Sequence, residues 1–455
     1  MLIRGFGRRT GRRALRTGLA LGSGMVLAVA LTACQQGEKV AEKVTKATGA
    51  YPDRVERPSP GFEVALPAVP LVADERLRVL DAAHRVWAEP LEAPRKTSAY
   101  WSYERDETLL KVVLAERPER APLAVSLWAD GALTAVDTRT GAVAWRAQSG
   151  YPAGGRWSAL GRYLHDEGGS DADPRLRVAP GDGRPVVLVD VQDGLIAFDA
   201  ADGGELWKKS WKCDEPGDTT SSWVATHAVV VQGSCEKRVR LLDPRTGRQT
   251  ADLNPKIPAA WPPVGEDGVE APSLREYACL RNVCDQLIFQ LYGSSGGVEP
   301  LYWWIDGDGR PVPLEEGKAA PETGNQPFQV ALNDGGFTLS ATDVAARTAA
   351  WQVKTPLNVA GLRSFNDVAV TSDMVWAGST DWKDNGPALL AYDLKSGKEV
   401  ACRKPPGTAI THMATAGDYI VVNGVALDPG MTAEPETDVD DPPFLMMNPQ
   451  RKSTC

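Results

Sequence analysis

Histidine is scarce in this chain of 455 residues. There are four, His84, His165, His227 and His412, scattered along the sequence. Sparse imidazole argues against a zinc centre, including at Cys279 and Cys284, which have no histidine near them in sequence. Long apolar runs are also missing. The one candidate, Leu19 to Leu31, is too short for a comfortable membrane span. A positive balance is absent too. The formal charge is −9, and six of the arginines lie in the first 33 residues, which hold no acid; without them the chain stands at −15. Such acidity favours solubility and argues against nucleic acid or direct adhesion to lipid headgroups. No Asp-rich cluster stands out, and Gly293 to Gly297 reads as a flexible hairpin loop rather than a nucleophile elbow.

What the chain has in abundance is one phrase said repeatedly: an apolar run, Asp, a few turn residues, Gly, then Trp or a small residue. Leu133 to Val136 leads into Asp137, Gly141 and Trp145; Leu195 to Phe198 leads into Asp199, Gly203 and Trp207. Asp243 with Gly247 and Asp393 with Gly397 keep the turn but place Ala251 and Ala401 where Trp would stand. Asp343 with Trp351 keeps the ends and has Arg347 in place of Gly. Asp306 with Gly309 and Asp428 with Gly430 are weaker copies.

Each copy predicts two short strands joined by a tight turn. Asp binds nearby backbone N–H groups, Gly supplies positive φ, and Trp packs between neighbouring units. Asp-Gly pairs at 130–131 and 193–194, between apolar runs, are hairpin signals of the same kind. The Asp anchors from 137 to 428 are spaced 48.5 residues apart on average over six intervals, about the length of a four-stranded blade. The expected fold is therefore all-β: a β-propeller of four-stranded antiparallel blades, seven by this count, with eight as the alternative. Trp87, in Arg85 to Ala88, precedes the first full copy by too little chain to own a blade. It is read as the outer strand of the final blade, an N-terminal strand closing the ring.

The ends carry a different message. Arg4, Arg8, Arg9, Arg12, Arg13 and Arg16 precede the apolar run, as in a secretory signal spanning 1–33. Leu31-Thr32-Ala33-Cys34 resembles the lipobox of bacterial lipoproteins, which implies that Cys34 is acylated, with a chain such as palmitate, and becomes the mature N-terminus. Residues 34–76 read as a tether, with a short helix over the alternating charges of Glu38 to Lys46 and an extended proline-rich stretch after it. The propeller is expected over 77–430, and 431–455 as a C-terminal tail. Six cysteines remain after Cys34, an even number suited to disulfides in an exported protein. Local proximity favours Cys213–Cys235, Cys279–Cys284 and Cys402–Cys455, although six cysteines allow 15 pairings.

The phased Asp-x-x-Thr-Gly-x-x-x-Trp copies resemble the tryptophan-docking repeats of the pyrroloquinoline-quinone (PQQ) propeller superfamily, over most of residues 83–430. That resemblance implies one of two branches. Quinoprotein dehydrogenases hold PQQ and calcium on the propeller axis and need hard oxygen ligands and a carboxylate base. Their alcohol dehydrogenases also stack a disulfide of adjacent cysteines on the cofactor, and no two cysteines are adjacent here. The non-catalytic BamB-like branch of envelope lipoproteins needs none of this. The sequence is accordingly read as a monomeric, lipid-anchored, extracytoplasmic binding or scaffold protein with no cofactor. Its envelope-protein partners would be bound through rim loops, and the Cys34 lipid would be its only hold on the membrane. The candidate loops are Ser149 to Pro180, Asn254 to Ser273 and Ser379 to Gly386, which carry Trp157, Trp261 and Trp382. A PQQ-dependent oxidoreductase with calcium is the alternative, and a glycan-binding propeller comes third.

Overall fold

The computed structural model describes residues 41–94, 98–150, 176–253 (less 182, 192–193, 212–219, 226 and 234–238), 273–290 (less 281–282), 301–313 (less 306–308), 328–354 (less 334–337 and 344–347), 368–379, 388–403, 412–423 and 444–448. Cys34, Cys213, Cys235 and Cys455 lie outside these residues, as do the signal segment and most of the three candidate loops.

Short β-branched and apolar runs bounded by Asp, Gly and Pro become strands throughout, and among the described residues there is no helix. Two strands, β1 (Glu42–Thr45) and β2 (Glu63–Leu66), come first. A sheet follows from β3 (Leu71–Ala73), β4 (Leu77–Ala82), β5 (Arg85–Pro90) and β6 (Trp101–Arg105), with β1 added outside β6. The second sheet is β7 (Leu109–Arg117), β8 (Arg120–Trp128), β9 (Ala132–Asp137) and β10 (Val143–Gln148). The third is β11 (Leu176–Ala179), β12 (Val186–Val191), β13 (Gly194–Asp199) and β14 (Glu205–Ser210).

Next stand β15 (Thr220–Val224), β16 (Val229–Gly233), β17 (Val239–Leu242) and β18 (Gln249–Leu253). Parallel pairing of Val224 with Val283 joins them to β19 (Ser273–Leu280), β20 (Val283–Gln290), β21 (Leu301–Ile305) and β22 (Pro311–Pro313). Then come β23 (Phe328–Asn333), β24 (Thr338–Asp343) and β25 (Thr348–Lys354), followed by β26 (Val368–Val370), β27 (Met374–Ser379), β28 (Ala388–Asp393) and β29 (Glu399–Arg403). The last sheet is β30 (His412–Ala416), β31 (Tyr419–Asn423) and β32 (Phe444–Met447), with β2 as its fourth strand in the order β2-β32-β31-β30.

Leading strands of successive sheets lie side by side, β3 with β7, β7 with β11, β11 with β15, and β26 with β30. Apolar clusters fill the space between sheets: Val125, Leu133 and Trp145 meet Val187 and Ile196, for example, while Trp376 and Leu389 meet Ile420 and Leu445. Antiparallel four-stranded sheets stacked face to face around their leading strands make a β-propeller.

Three expectations are corrected. The Trp87 strand, β5, pairs with β4 and β6 in a sheet of its own, so Asp137 belongs to the second sheet. The N-terminal strand that joins the last sheet is β2, paired with β32 through Glu63 opposite Met447 and Leu66 opposite Phe444. Residues assigned to a tether thus supply β1, β2 and β3, and those assigned to a tail supply β32; Val64 and Leu66 of β2 are buried with Met446 of β32 in one apolar cluster. The charged stretch expected to be helical contains β1 instead. Glu42 and Lys43 find their partners across strands, in Arg146 and Glu104, rather than along a helix face.

Candidate functional site

The repeated phrase builds the seams between sheets. Trp145 on β10 donates its indole N–H to the Ala200 carbonyl of the next sheet at 2.8 Å. Trp207 does the same to Pro244 and Trp351 to Leu394, both at 2.8 Å. In every case the acceptor is the residue after the next Asp anchor, so each ring spans two repeats rather than one. The anchor Gly lies flat against that ring. Its φ is positive (74° at Gly203, 63° at Gly247, 66° at Gly397), and a Cβ there would sit 2.6 Å from the indole. Only glycine satisfies both demands.

A fourth seam has the same form without the phrase. Trp101 on β6 donates to the Thr138 carbonyl at 2.8 Å and lies against Gly141. Sequence reasoning missed it because no Asp-Gly turn precedes Trp101; the one available signal was a tryptophan ahead of Asp137 at the separation Trp207 keeps from Asp243. Ala251 and Ala401, standing in for Trp, are instead packed at the edges of apolar clusters. Asp343 ends β24, and Trp303 and Trp304 lie on β21.

Asp oxygens organise the turns as expected. Oδ1 of Asp137 accepts from the Thr140 N–H and hydroxyl at 2.9 and 3.0 Å, and Oδ1 of Asp243 accepts from those of Thr246 at 2.7 and 2.8 Å. Burial pushes the Asp137 and Asp199 carboxyls up, but hydrogen bonds from Arg117 and Thr140, or from Ala201 and Arg245, outweigh it and hold both below the ordinary value. Asp393 is held low chiefly by the Ser396 hydroxyl and N–H. A carboxyl whose pKa falls on folding stabilises the fold above the unfolded value of about 3.9, and that contribution is lost as pH falls through the lowered folded value. Asp137→Asn is therefore expected to cost stability at neutral pH, with the gap to wild type closing in acid. Denaturation curves across the carboxylate range check this; a gap independent of pH would defeat it.

Ion pairs bind further seams. Arg245 reaches Asp199 of the preceding sheet at 2.9 Å, and Arg105 reaches Asp130 at 2.8 Å. Near the leading strands, Arg177 Nη1 donates to Asp190 and to the buried Ser222 of the next sheet at 3.0 and 2.8 Å. Where the first and last sheets meet, Glu92 accepts from the Tyr419 hydroxyl at 2.7 Å and from the Ser59 N–H and hydroxyl. Between the last two sheets, Arg403 on β29 reaches Glu63 on β2 at 2.7 Å, and the Asn448 amide beyond β32 donates to the Pro58 and Ser59 carbonyls. Beside Glu92 a cleft of about 350 Å³ opens, lined by Val55, Leu91 and Pro94 with Arg76, Asp53 and Glu92 itself.

No three His, Cys, Asp or Glu side chains among the described residues come together to hold a metal. His84 Nδ1 meets the Glu107 carbonyl at 2.9 Å on the surface, and the His227 backbone carbonyl packs against Gly309. Gly293, Ser295 and Gly297 do carry the spacing of a nucleophile elbow. The segment lies outside the described residues, but the strands on either side of it, β20 and β21, pair antiparallel, whereas an elbow requires a strand leading into a helix.

Of the cysteines, Cys402 is disulfide-bonded. Cys279 and Cys284 stand opposite one another in the β19–β20 register.

A family model described as outer membrane protein assembly factor BamB matches residues 2–249, more than half of the chain. No curated protein matches it. Similar solved structures include BamB from Moraxella catarrhalis, at 14% identity over 80% of this chain and 85% of that one, with a TM-score of 0.34. The dihydro-heme d1 dehydrogenase NirN in complex with DHE is similar at 15% identity over 83% and 73%, with a TM-score of 0.45. The β-propeller domain of Cps50 (Swd1) from Myceliophteria thermophila is similar at 9% identity over 90% and 99%, with a TM-score of 0.38.

Proposed function

The chain belongs to the family of outer membrane protein assembly factor BamB, and from that membership we propose that it is a non-catalytic scaffold of the bacterial cell envelope. In this reading the blades hold shape and the rim loops bind other envelope proteins. The family match over residues 2–249 is the observation that carries it. The seams support it: the Trp, Gly and Asp of the repeats are absorbed in holding sheets together, which leaves recognition to the surface between them. An eight-unit ring completed by β2, an exported chain with an acylated Cys34, and disulfides pairing Cys213 with Cys235, Cys279 with Cys284 and Cys402 with Cys455 all belong to this reading. No cofactor is required. In an envelope with an outer membrane, the family description points to the machinery that assembles outer-membrane proteins as the class of partner.

Cross-linking in intact cells, purification of the full chain and mass spectrometry of what accompanies it test the proposal. A reproducible envelope-protein partner, with cross-links in the loops 149–180, 254–273 or 379–386, is the expected result. Recovery of the protein alone, together with dye reduction that depends on added PQQ and calcium, would overturn it in favour of an oxidoreductase.

A further inference from the structure

We propose that the outer edge of the first sheet is the face this protein turns toward the lipid bilayer. The inference rests on the reading of Cys34 as lipidated and adds to it an orientation. The segment expected to be a free tether is strapped down. β1 pairs with β6 in a full four-residue register, Glu42 opposite Arg105 and Thr45 opposite Ser102. The Ala47 and Thr48 N–H groups then donate to the Thr140 and Tyr100 carbonyls at 3.0 and 3.1 Å. The Arg76 and Arg139 guanidinium groups stand over the Tyr51 ring, at 5.2 and 5.5 Å from its centre, and the Tyr51 hydroxyl donates to Asp74 at 3.3 Å. The Val55 N–H bonds the Glu75 carbonyl at 2.8 Å.

Those last contacts grip a turn in which Asp74 and Glu75 both have positive φ, 54° and 52°. A left-handed conformation is unfavourable for most residues other than glycine, and the strap bonds directly to the turn that adopts it. A passive spacer needs none of these bonds.

Chain length turns the strap into an orientation. Glu42 lies eight residues beyond Cys34, a reach of at most about 29 Å when fully extended. Were the chain first held at Glu63, twenty-nine residues beyond Cys34, the reach would be about 100 Å. Docking residues 42–55 therefore keeps the β1–β6 edge close to the headgroups, while the anchor itself supplies the attachment. The acidic body needs no adhesion of its own to lipid.

The test uses the full-length lipidated protein in phosphatidylcholine vesicles that carry an energy-transfer acceptor on their headgroups. Donors are placed, as fluorescent amino acids, at exposed Asp106 beside the β1–β6 edge or at exposed Lys208 on β14. Transfer from position 106 is expected to exceed that from 208 several-fold. Thr45→Pro, which breaks the β1 ladder, and Arg146→Glu, which repels Glu42, should each narrow that difference while the protein still sediments with the vesicles. Equal transfer from both positions in sedimenting wild-type protein would overturn the orientation and leave lipidation standing. If wild type and Cys34→Ala stay equally soluble, the lipid reading fails and the orientation with it.

Discussion

Replacing Gly203 with alanine is expected to destabilise the protein by about 2–5 kcal/mol. Two costs add at this position. A residue with a Cβ at φ 74° loses about 1–2 kcal/mol. The new methyl would stand 2.6 Å from Trp145 Cε3, and overpacking of this kind costs about 1–3 kcal/mol more. The ring cannot simply retreat, because its N–H is bonded to the Ala200 carbonyl of the same turn. Gly61→Ala isolates the first cost, since Gly61 has φ 78° but nothing within 4 Å of the added atom. It should lose only about 1–2 kcal/mol. Urea denaturation of the two variants beside wild type measures the difference. If both lose the same amount, the close approach of Gly203 to the indole has no energetic consequence.

The second large effect is expected at the seam between β29 and β2. Arg403 and Glu63 meet at 2.7 Å with side chains 7% and 19% exposed, and Arg403 also reaches the Asn448 carbonyl at 3.3 Å. Removing one partner of such a pair strands the other charge, so Arg403→Met should cost about 3–5 kcal/mol. Replacing both, with Arg403→Met and Glu63→Leu together, should recover most of that loss, because the buried charges then vanish as a pair. Thermal melts of the two single variants and the double variant decide it. A double variant as unstable as the sum of the singles would mean the two side chains act independently. Amide exchange at 63–66 adds a local readout, since the same seam carries β2 against β32.

Both effects bear on how much of this molecule could be read from its residues. Leu133 to Asp137 and Leu195 to Asp199 are strands where the alternation said they would be, and Asp137 and Asp199 open the turns that follow. Those features depend on a few consecutive residues. The tryptophans were legible as packing between units, yet the acceptors of Trp145 and Trp207 lie 55 and 37 residues away. Trp101 escaped notice because it docks in the same way without the turn that marks the others. Glu92, Tyr419, Arg403 and Asn448 carried no local signal at all. Each matters through what the opposite end of the chain brings to it: the Asn448 amide and the Pro58 carbonyl it bonds are 390 residues apart.

By itself, then, the sequence determined the all-β architecture, the turn chemistry of the repeat, the need for glycine at the anchors and the PQQ-like family to which the repeats point. Periodicity and turn preference are local, and each copy states them again within about ten residues. Only the tertiary structure decided which strand completes the last sheet, that the supposed tether is a strap along the first, and which charges seal the seams. Apolar strands such as β2 and β32 gain nothing until they bury one another. Which of several similar strands they meet depends on the shape the other sheets leave open, and no short stretch of residues contains that.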